Sequence, residues 1–407
     1  MVNNARLSAA LLAAAGMSTL LAGAPAMAQD DTVSIGFTTA LTGPFNEFGE
    51  GYRRGVEIAV EEWNEKGGVN GVPVEIGIAL DDQLVPDRAV QNMRRVLDDA
   101  NIELLIAPSG SGPTLAVVDM LQADGRPVCN TQAQTPSIVY PEGDDGAPRP
   151  NIFSITISNT IEAQKLATVL ADEYDSVAIL HESTGYGVTG AELVEEELQK
   201  LNPNIKINVE SFNQRSQDFT AQLARSQRSG AGVLLVIGLG ADLAVIRKNM
   251  ARLNINLPLY ATAGGVTPPY IEGAGDLVVG TRAASVRALG EESLPEATQG
   301  FAERYKEKYG IDRWWGDNPD RPQIAMASTV MSGYDCANLL FDAVRRAGTT
   351  EPEAVVAAMN ETESWPGASI RSISFTADDH TAMEVDDLFI YEMQKDGDQI
   401  VFVPVSE

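Results

Sequence analysis

Histidine is scarce in this chain: His181 and His380 are the only two in 407 residues. Cysteine is equally scarce, at Cys129 and Cys336, so neither residue type has the number or spacing of a zinc site. A hydrolase built on a Ser–His pair has little to draw on, and neither Ser109 nor Ser111 sits in a G-x-S-x-G elbow. Positive charge is short as well. Lys and Arg number 29 against 57 Asp and Glu, a formal charge of −28. Such a surface repels nucleic acid and anionic lipid. Adjacent acids such as Asp81-Asp82 and Asp378-Asp379 lie in turns, and a chain this acidic forms such pairs by chance. Beyond the first residues there is no apolar run long enough to span a bilayer. The two cysteines could bond in an exported chain, and could equally be two buried thiols.

The first 28 residues have a single positive side chain, Arg6, and no acid. An apolar run from Leu7 to Leu21 leads to Ala26-Met27-Ala28 before Gln29. This is the pattern of a secretory signal peptide over residues 1–28, with cleavage near Ala28/Gln29 and a periplasmic mature chain. The rest of the chain alternates apolar strands with amphipathic helices. Strands are expected at Val33–Phe37, Val74–Leu80, Leu104–Ala107 and Pro127–Asn130, with helices at Tyr52–Lys66, Asp87–Ala100 and Thr114–Ala123. After a Pro-, Gly- and Asp-rich loop at Tyr140–Pro150 the alternation restarts, with strands at Ser176–His181, Ile205–Glu210, Val233–Ile237 and Leu257–Ala261. Helices at Pro295–Tyr309 and Met326–Ala347 come next, then strands at Ile370–Phe375, Leu388–Met393 and Ile400–Val405. Strand–helix repeats of this length imply parallel sheets covered on both faces. Two similar α/β halves with a trailing segment imply two lobes that share the tail.

Three stretches have a chemical reading. Gly185-Tyr-Gly-Val-Thr-Gly190 fits G-x-G-x-x-G and opens a helix, which would suit a dinucleotide-dependent enzyme. The strand ends several residues before the first glycine, whereas a phosphate turn follows its strand directly, so loose turn glycines account for the match better. Ser109-Gly-Ser111-Gly-Pro113 exposes backbone N–H groups and hydroxyls at a helix start, an anion site suited to one carboxylate, or else a plain N-cap. Phe45 and Phe48 precede the first helix, as a hydrophobic staple or as a pocket wall.

Leu41-Thr-Gly-Pro44, Phe48-Gly49, Arg54-Gly-Val-Glu57, Gly67-Gly-Val-Asn-Gly71, Asp81-Asp82-Gln83, Ser109-Gly-Ser-Gly112, Tyr186-Gly187, Asp218-Phe219 and Gly333-Tyr-Asp335 occur in that order. The ordered set resembles the type I periplasmic solute-binding proteins of the branched-chain amino acid (Leu/Ile/Val) transporter group, over about Val33 to Val403. The resemblance implies a two-lobed α/β fold with three crossover segments, near Ile152–Ile157, Val279–Val286 and Ile370–Ser374. It divides the chain into a first lobe at 29–153 and 282–369 and a second lobe at 154–281 and 370–407. It further implies an exported, monomeric receptor of an ABC importer. This receptor binds a small amino-acid-like or carboxylate/amide ligand by lobe closure and presents it to a membrane permease, without catalysis, cofactor, metal or nucleic acid. A ligand-sensing regulator of the same fold is the other possibility. Carried over by motif, the cleft residues are Phe48, with Phe45 beside it, Ser111, with Ser109 and Gly110 nearby, and Tyr186. The chain departs from the family's pattern where Gln132 and Gln134 stand, and these, with Asn130, suggest carbonyl or amide recognition. Thr262-Ala-Gly-Gly265 also lacks the acid that meets a ligand ammonium in the family, and Leu239 replaces an aromatic. An unpaired buried ammonium is costly, so a carboxylate or carbonyl compound is expected over leucine, unless an acid such as Glu47 or Asp242 substitutes. Trp314-Trp315 fall in a polar insertion.

Overall fold

The computed structural model describes residues 32–143, 146–286, 294–310 and 326–405. The first strand, β1 (Val33–Thr39), is buried along its whole length. Such continuous burial belongs to a strand covered by helices on both faces. It lies between β2 (Val74–Asp81) and β3 (Leu104–Ile106), and β4 (Val128–Asn130) and β5 (Ile152–Ser154) complete a parallel five-stranded sheet of order β2-β1-β3-β4-β5. Helices α1 (Asn46–Glu65), α2 (Pro86–Leu97) and α3 (Ser111–Asp124) form the crossovers. In α2, Pro86 opens the first turn and the buried residues Ala89, Met93 and Val96 follow helical spacing.

The second lobe repeats the scheme with β6 (Ser176–Glu182), β7 (Lys206–Phe212), β8 (Val233–Ile237), β9 (Leu259–Ala261) and β10 (Arg282–Val286). Its helices are α4 (Asn159–Glu173), α5 (Gly185–Leu201), α6 (Thr220–Arg228), α7 (Gly240–Arg252) and α8 (Pro268–Ala274). The chain then forms α9 (Glu296–Tyr309), α10 (Met326–Ala347) and α11 (Pro352–Asn360) before adding β11 (Leu388–Asp396) and β12 (Gln399–Pro404). The second sheet has the order β12-β11-β10-β9-β8-β6-β7, with β11 and β12 antiparallel to their neighbours.

Helix α9 already lies on the first lobe, where Arg304 pairs with Glu65 of α1, and α10 packs on α1 as well. A Cβ on Gly55 would lie 2.0 Å from the Val330 carbonyl oxygen, and one on Gly333 would lie 2.2 Å from that of Tyr52. The two glycines thus let the helix backbones touch. Cys336 in α10 is bonded to Cys129 in β4, with their Cα atoms 5.7 Å apart, which resolves the question the sequence left open.

Three expectations need correction. The strand at 282–286 is expected at the start of a first-lobe segment, but it pairs with β9 and with β11, Val286 lying opposite Leu388. The passage back to the first lobe therefore comes after Val286. No strand forms at 370–375. Only one isolated bridge occurs there, Trp365 to Ile373, and the nearby N–H groups of Ala368 and Ser369 go to the buried Asp335 carboxylate, at 2.8 and 2.7 Å. The third passage runs along β5, where Ser154 N–H donates to the His380 carbonyl (2.7 Å) and Ala382 N–H to the Ser154 carbonyl (2.9 Å). Residues 1–28 and Trp314-Trp315 lie outside the described residues.

Candidate functional site

A cavity with about 1000 Å³ of atom-free space, mouth included, opens between the lobes. That is the size range of small-molecule sites. It lies at the C-terminal ends of the parallel strands, where α/β folds bind ligands. The first lobe contributes Phe48, Leu84, Gly110, Ser111, Gln132 and Gln134, and the second contributes Glu182, Thr184, Tyr186, Gln214, Leu239 and Thr267. Ser328 and Thr329, from the first turn of α10, also reach it.

Helix α3 points its N-terminus at the cavity. Gly110 turns the chain there with φ 78°, and a Cβ at this position would stand 2.8 Å from Leu84 Cδ1. No side chain caps the helix, so the reading of Ser109 or Ser111 as a plain N-cap does not hold. Ser111 is the first helical residue. Its Oγ accepts from the backbone N–H of Gln134 (3.1 Å) and of Thr135 (3.2 Å). Both lone pairs are then engaged, and the hydroxyl can only donate. Uncapped N–H groups, the helix dipole and this donor together suit an anion.

Gln132 Nε2 donates to the Phe48 carbonyl at 3.3 Å, which orients its amide. The side-chain oxygens of Gln132 and Gln134 are buried without a donor among the described residues, so this wall presents acceptors to an N–H group. Asn130 does not reach the cavity. Its Nδ2 donates to the Ala133 carbonyl (2.7 Å) and to Ser154 Oγ (3.0 Å), and its Oδ1 accepts from Ala133 N–H (3.0 Å), so it holds the loop that carries the two glutamines.

The second-lobe wall is acidic. Glu182, at the end of β6, is 1% exposed, accepts from Thr184 Oγ1, and accepts at Oε2 from Gln214 Nε2 at 2.8 Å. Burial pushes its carboxyl up to about 7, opposed by those two hydrogen bonds and assisted by the Asp242 charge. Behind the wall, Glu162 accepts from Ala263 N–H (2.8 Å) and from Tyr186 OH (3.5 Å), and burial also raises it to about 7. The loop 262–265 has no acid of its own, yet the Glu162 carboxylate stands against it. Glu162 does not itself line the cavity, so the acid on the wall that a solute can meet is Glu182.

Of the residues expected at the site, Phe48, Gly110, Ser111, Gln132, Gln134 and Tyr186 line one cavity. Ser109 and Phe45 do not. Ser109 is fully buried, with its Oγ accepting from Thr39 Oγ1 (2.9 Å) and Ala40 N–H (3.3 Å). Phe45 is buried with Ala40 and Leu84 behind Phe48. Glu182 and Gln214 are not singled out by the sequence. Glu182 carries a usable signal all the same, an acid closing the apolar run Val177–Leu180.

The glycines of Gly185–Gly190 have a packing explanation. A Cβ on Gly187 would lie 2.1 Å from the Glu182 carbonyl oxygen, and one on Gly190 3.1 Å from Ile237 Cγ2. They let α5 sit against β6 and β8. We expect no saturable NAD(H) binding by calorimetry up to millimolar concentration. Micromolar binding that is lost on Gly187→Val would revive the dinucleotide reading.

A family profile described as periplasmic binding protein matches residues 32–398. The leucine-, isoleucine-, valine-, threonine-, and alanine-binding protein of Pseudomonas aeruginosa is 25% identical over 372 residues, 90% of this chain and 91% of the relative. A crystal structure of a type 1 periplasmic binding protein from Bordetella pertussis Tohama I is 48% identical, with a TM-score of 0.89, and the match covers 92% of this chain and all of that one. An ABC-transporter solute-binding protein of R. palustris in complex with 4-hydroxybenzoate shares the fold at 18% identity, with a TM-score of 0.76 over 92% of this chain and 96% of that one. With an interlobe cavity between two parallel sheets and a profile match over nearly its whole length, the chain belongs to the type I periplasmic binding protein family.

Proposed function

We propose that this protein is the solute receptor of an ABC importer, working in the periplasm with a membrane permease as its partner. It takes a small amino-acid-like or carboxylate/amide solute between its lobes, closes over it and catalyses no reaction. The observation that carries this reading is the pairing of opposite chemistries across one cavity. The uncapped α3 and the donor-only Ser111 face an anion, while Gln132, Gln134 and Glu182 accept hydrogen bonds from the remainder of the solute. The amino acids named for the P. aeruginosa relative and the aromatic acid bound by the R. palustris protein both carry one carboxylate. The test is a thermal-shift screen of amino acids, aromatic and aliphatic acids and amides, followed by calorimetry. One compound should bind stoichiometrically without turnover. No binder among them, or conversion of one, refutes the reading.

Ser111→Ala removes a charge-assisted hydrogen bond to the solute carboxylate, about 1.5–3 kcal/mol, or roughly ten- to a hundredfold in affinity. It also strips two backbone N–H groups of their acceptor, so melting falls as well, and affinity is the deciding measurement. Phe48→Ala weakens binding without changing the preference for a carboxylate. Unchanged affinity in both variants removes these residues from the site.

Processing is testable separately. Protein secreted by its native host should begin at or near Gln29, and an intact mass that includes Arg6 refutes that boundary.

A further inference from the structure

An arginine bridges the two lobes beside Leu84 and Gln214 of the cavity lining. Arg215 lies between β7 and α6 in the second lobe, and its Nη2 donates to the carbonyl of Gln83 in the first lobe at 3.2 Å. Its guanidinium carbon stands 5.2 Å from the ring centroid of Phe45, also in the first lobe, close enough for a cation–π contact. The backbone on both sides of this bridge is unusual. Arg215 has φ 65°, and Gln83 and Leu84 have φ 55° and 59°, left-handed values that non-glycine residues hold only where their surroundings enforce them.

Those surroundings are present. Arg215 N–H donates to Asp242 Oδ1 at 2.7 Å. Gln83 N–H donates to Asp81 Oδ1 (3.1 Å) and Leu84 N–H to Asp82 Oδ1 (2.8 Å). Each lobe thus holds a stiff turn facing the other. Beneath the bridge, Leu84, Phe45 and Ala40 pack with Leu239 and Ala241 of the second lobe. The residue before Arg215 is Gln214, which lines the cavity and is tied to Glu182.

We propose that Arg215 is a clasp that holds the two lobes closed by gripping the Gln83 carbonyl and the Phe45 ring. Gln214 connects this clasp to Glu182 in the cavity wall. A solute that engages Glu182 acts on the residue directly before the clasp. Phe45, which does not touch the cavity, then serves as the first-lobe surface on which the clasp closes. The proposal rests on the receptor reading, in which closure traps the solute, but its test uses no solute.

Nitroxide labels at Lys66→Cys and Lys200→Cys, both exposed and one on each lobe, report the interlobe distance by pulsed electron paramagnetic resonance in ligand-free protein. The expected result is a closed, short-distance population that Arg215→Ala reduces about tenfold relative to the open one, as loss of one charged hydrogen bond and one cation–π contact requires. Arg215→Lys, which keeps the charge but not the flat fork, should fall between them. Identical distance distributions in wild type and both variants overturn the clasp. So does a ligand-free wild type with no closed population. Failure of the solute screen would refute the receptor reading and leave these distances unaffected.

Discussion

Replacing both cysteines, Cys129→Ala with Cys336→Ala, lowers the stability of the folded protein by about 2–5 kcal/mol. The bond joins residues 207 apart, and cross-links that close long loops remove the most entropy from the unfolded chain. Its position sharpens the expectation. Cys129 lies in β4 of the first-lobe sheet, and Cys336 lies in α10, a helix that joins this lobe only after the chain has passed through the second. Both residues are fully buried, so two small voids add to the loss. The effect should also reach the cavity. The loop after β4 carries Gln132 and Gln134, and the first turn of α10 carries Ser328 and Thr329, all four on the cavity wall. The double variant should therefore melt several degrees lower with native far-ultraviolet circular dichroism, and should bind its solute more weakly. Unchanged melting in oxidised wild type and variant would show that packing of α10 on α1 suffices without the bond.

The fold is largely legible in the sequence because its strands are short apolar runs buried on both faces. Val233–Ile237 is both the expected and the observed strand. The misplacements have a common cause. Arg282–Val286 reads locally as a strand, but which sheet it joins depends on a partner at Leu388–Asp396, far along the chain. Ile370–Phe375 has strand composition, yet Asp335, also distant in sequence, takes neighbouring backbone donors. Helix α11 is hard to see because its nine residues begin at a proline and lack a long amphipathic pattern.

The site divides in the same way. Ser111, Phe48 and Tyr186 are visible as small or aromatic residues beside helix starts. Ser109 and Ser111 look equivalent in sequence, and the left-handed turn at Gly110 sends one hydroxyl to β1 and the other toward the cavity. Glu182 is one of 57 acids, and its place after the apolar run Val177–Leu180 marks a strand end but not a cavity. What sets it apart is burial, and burial depends on α5 and on the loop carrying Gln214. A surface acid and a cavity acid are the same letter until the fold surrounds one of them.

That burial produces the last expected result: ligand-free protein becomes more stable as the pH falls from 8 toward 5.5. Burial raises Glu162 and Glu182 to about 7 from 4.5, and raises Asp82, Asp242 and Asp335 to about 6 from 3.8. A carboxyl whose folded pKa lies above its unfolded one binds its proton more tightly when folded. The stability it contributes is complete below the unfolded value and is lost as pH rises through the folded value. The window is therefore about pH 4.5 to 7 for the two glutamates, with roughly 3 kcal/mol at stake for Glu182 if it titrates alone. Lower net negative charge acts in the same direction. His380, which burial shifts downward, opposes the trend below its ordinary value, because the unfolded chain then takes up a proton that the folded one resists. Asp81 and Asp379 are held low, Asp81 by hydrogen bonds from Thr42 and Asp379 by one from Tyr140, and they weaken the fold only at more acidic pH. Glu182→Gln isolates the cavity acid. The variant keeps one acceptor for the donors of Thr184 and Gln214 and loses the other, so its level of stability is ambiguous but its slope is not. Melting temperature plotted against pH should rise less steeply in the variant than in wild type between pH 8 and 5.5, and the two curves should converge or cross at the acidic end. Parallel curves would mean that Glu182 remains ionised throughout, with its charge solvated through the cavity mouth.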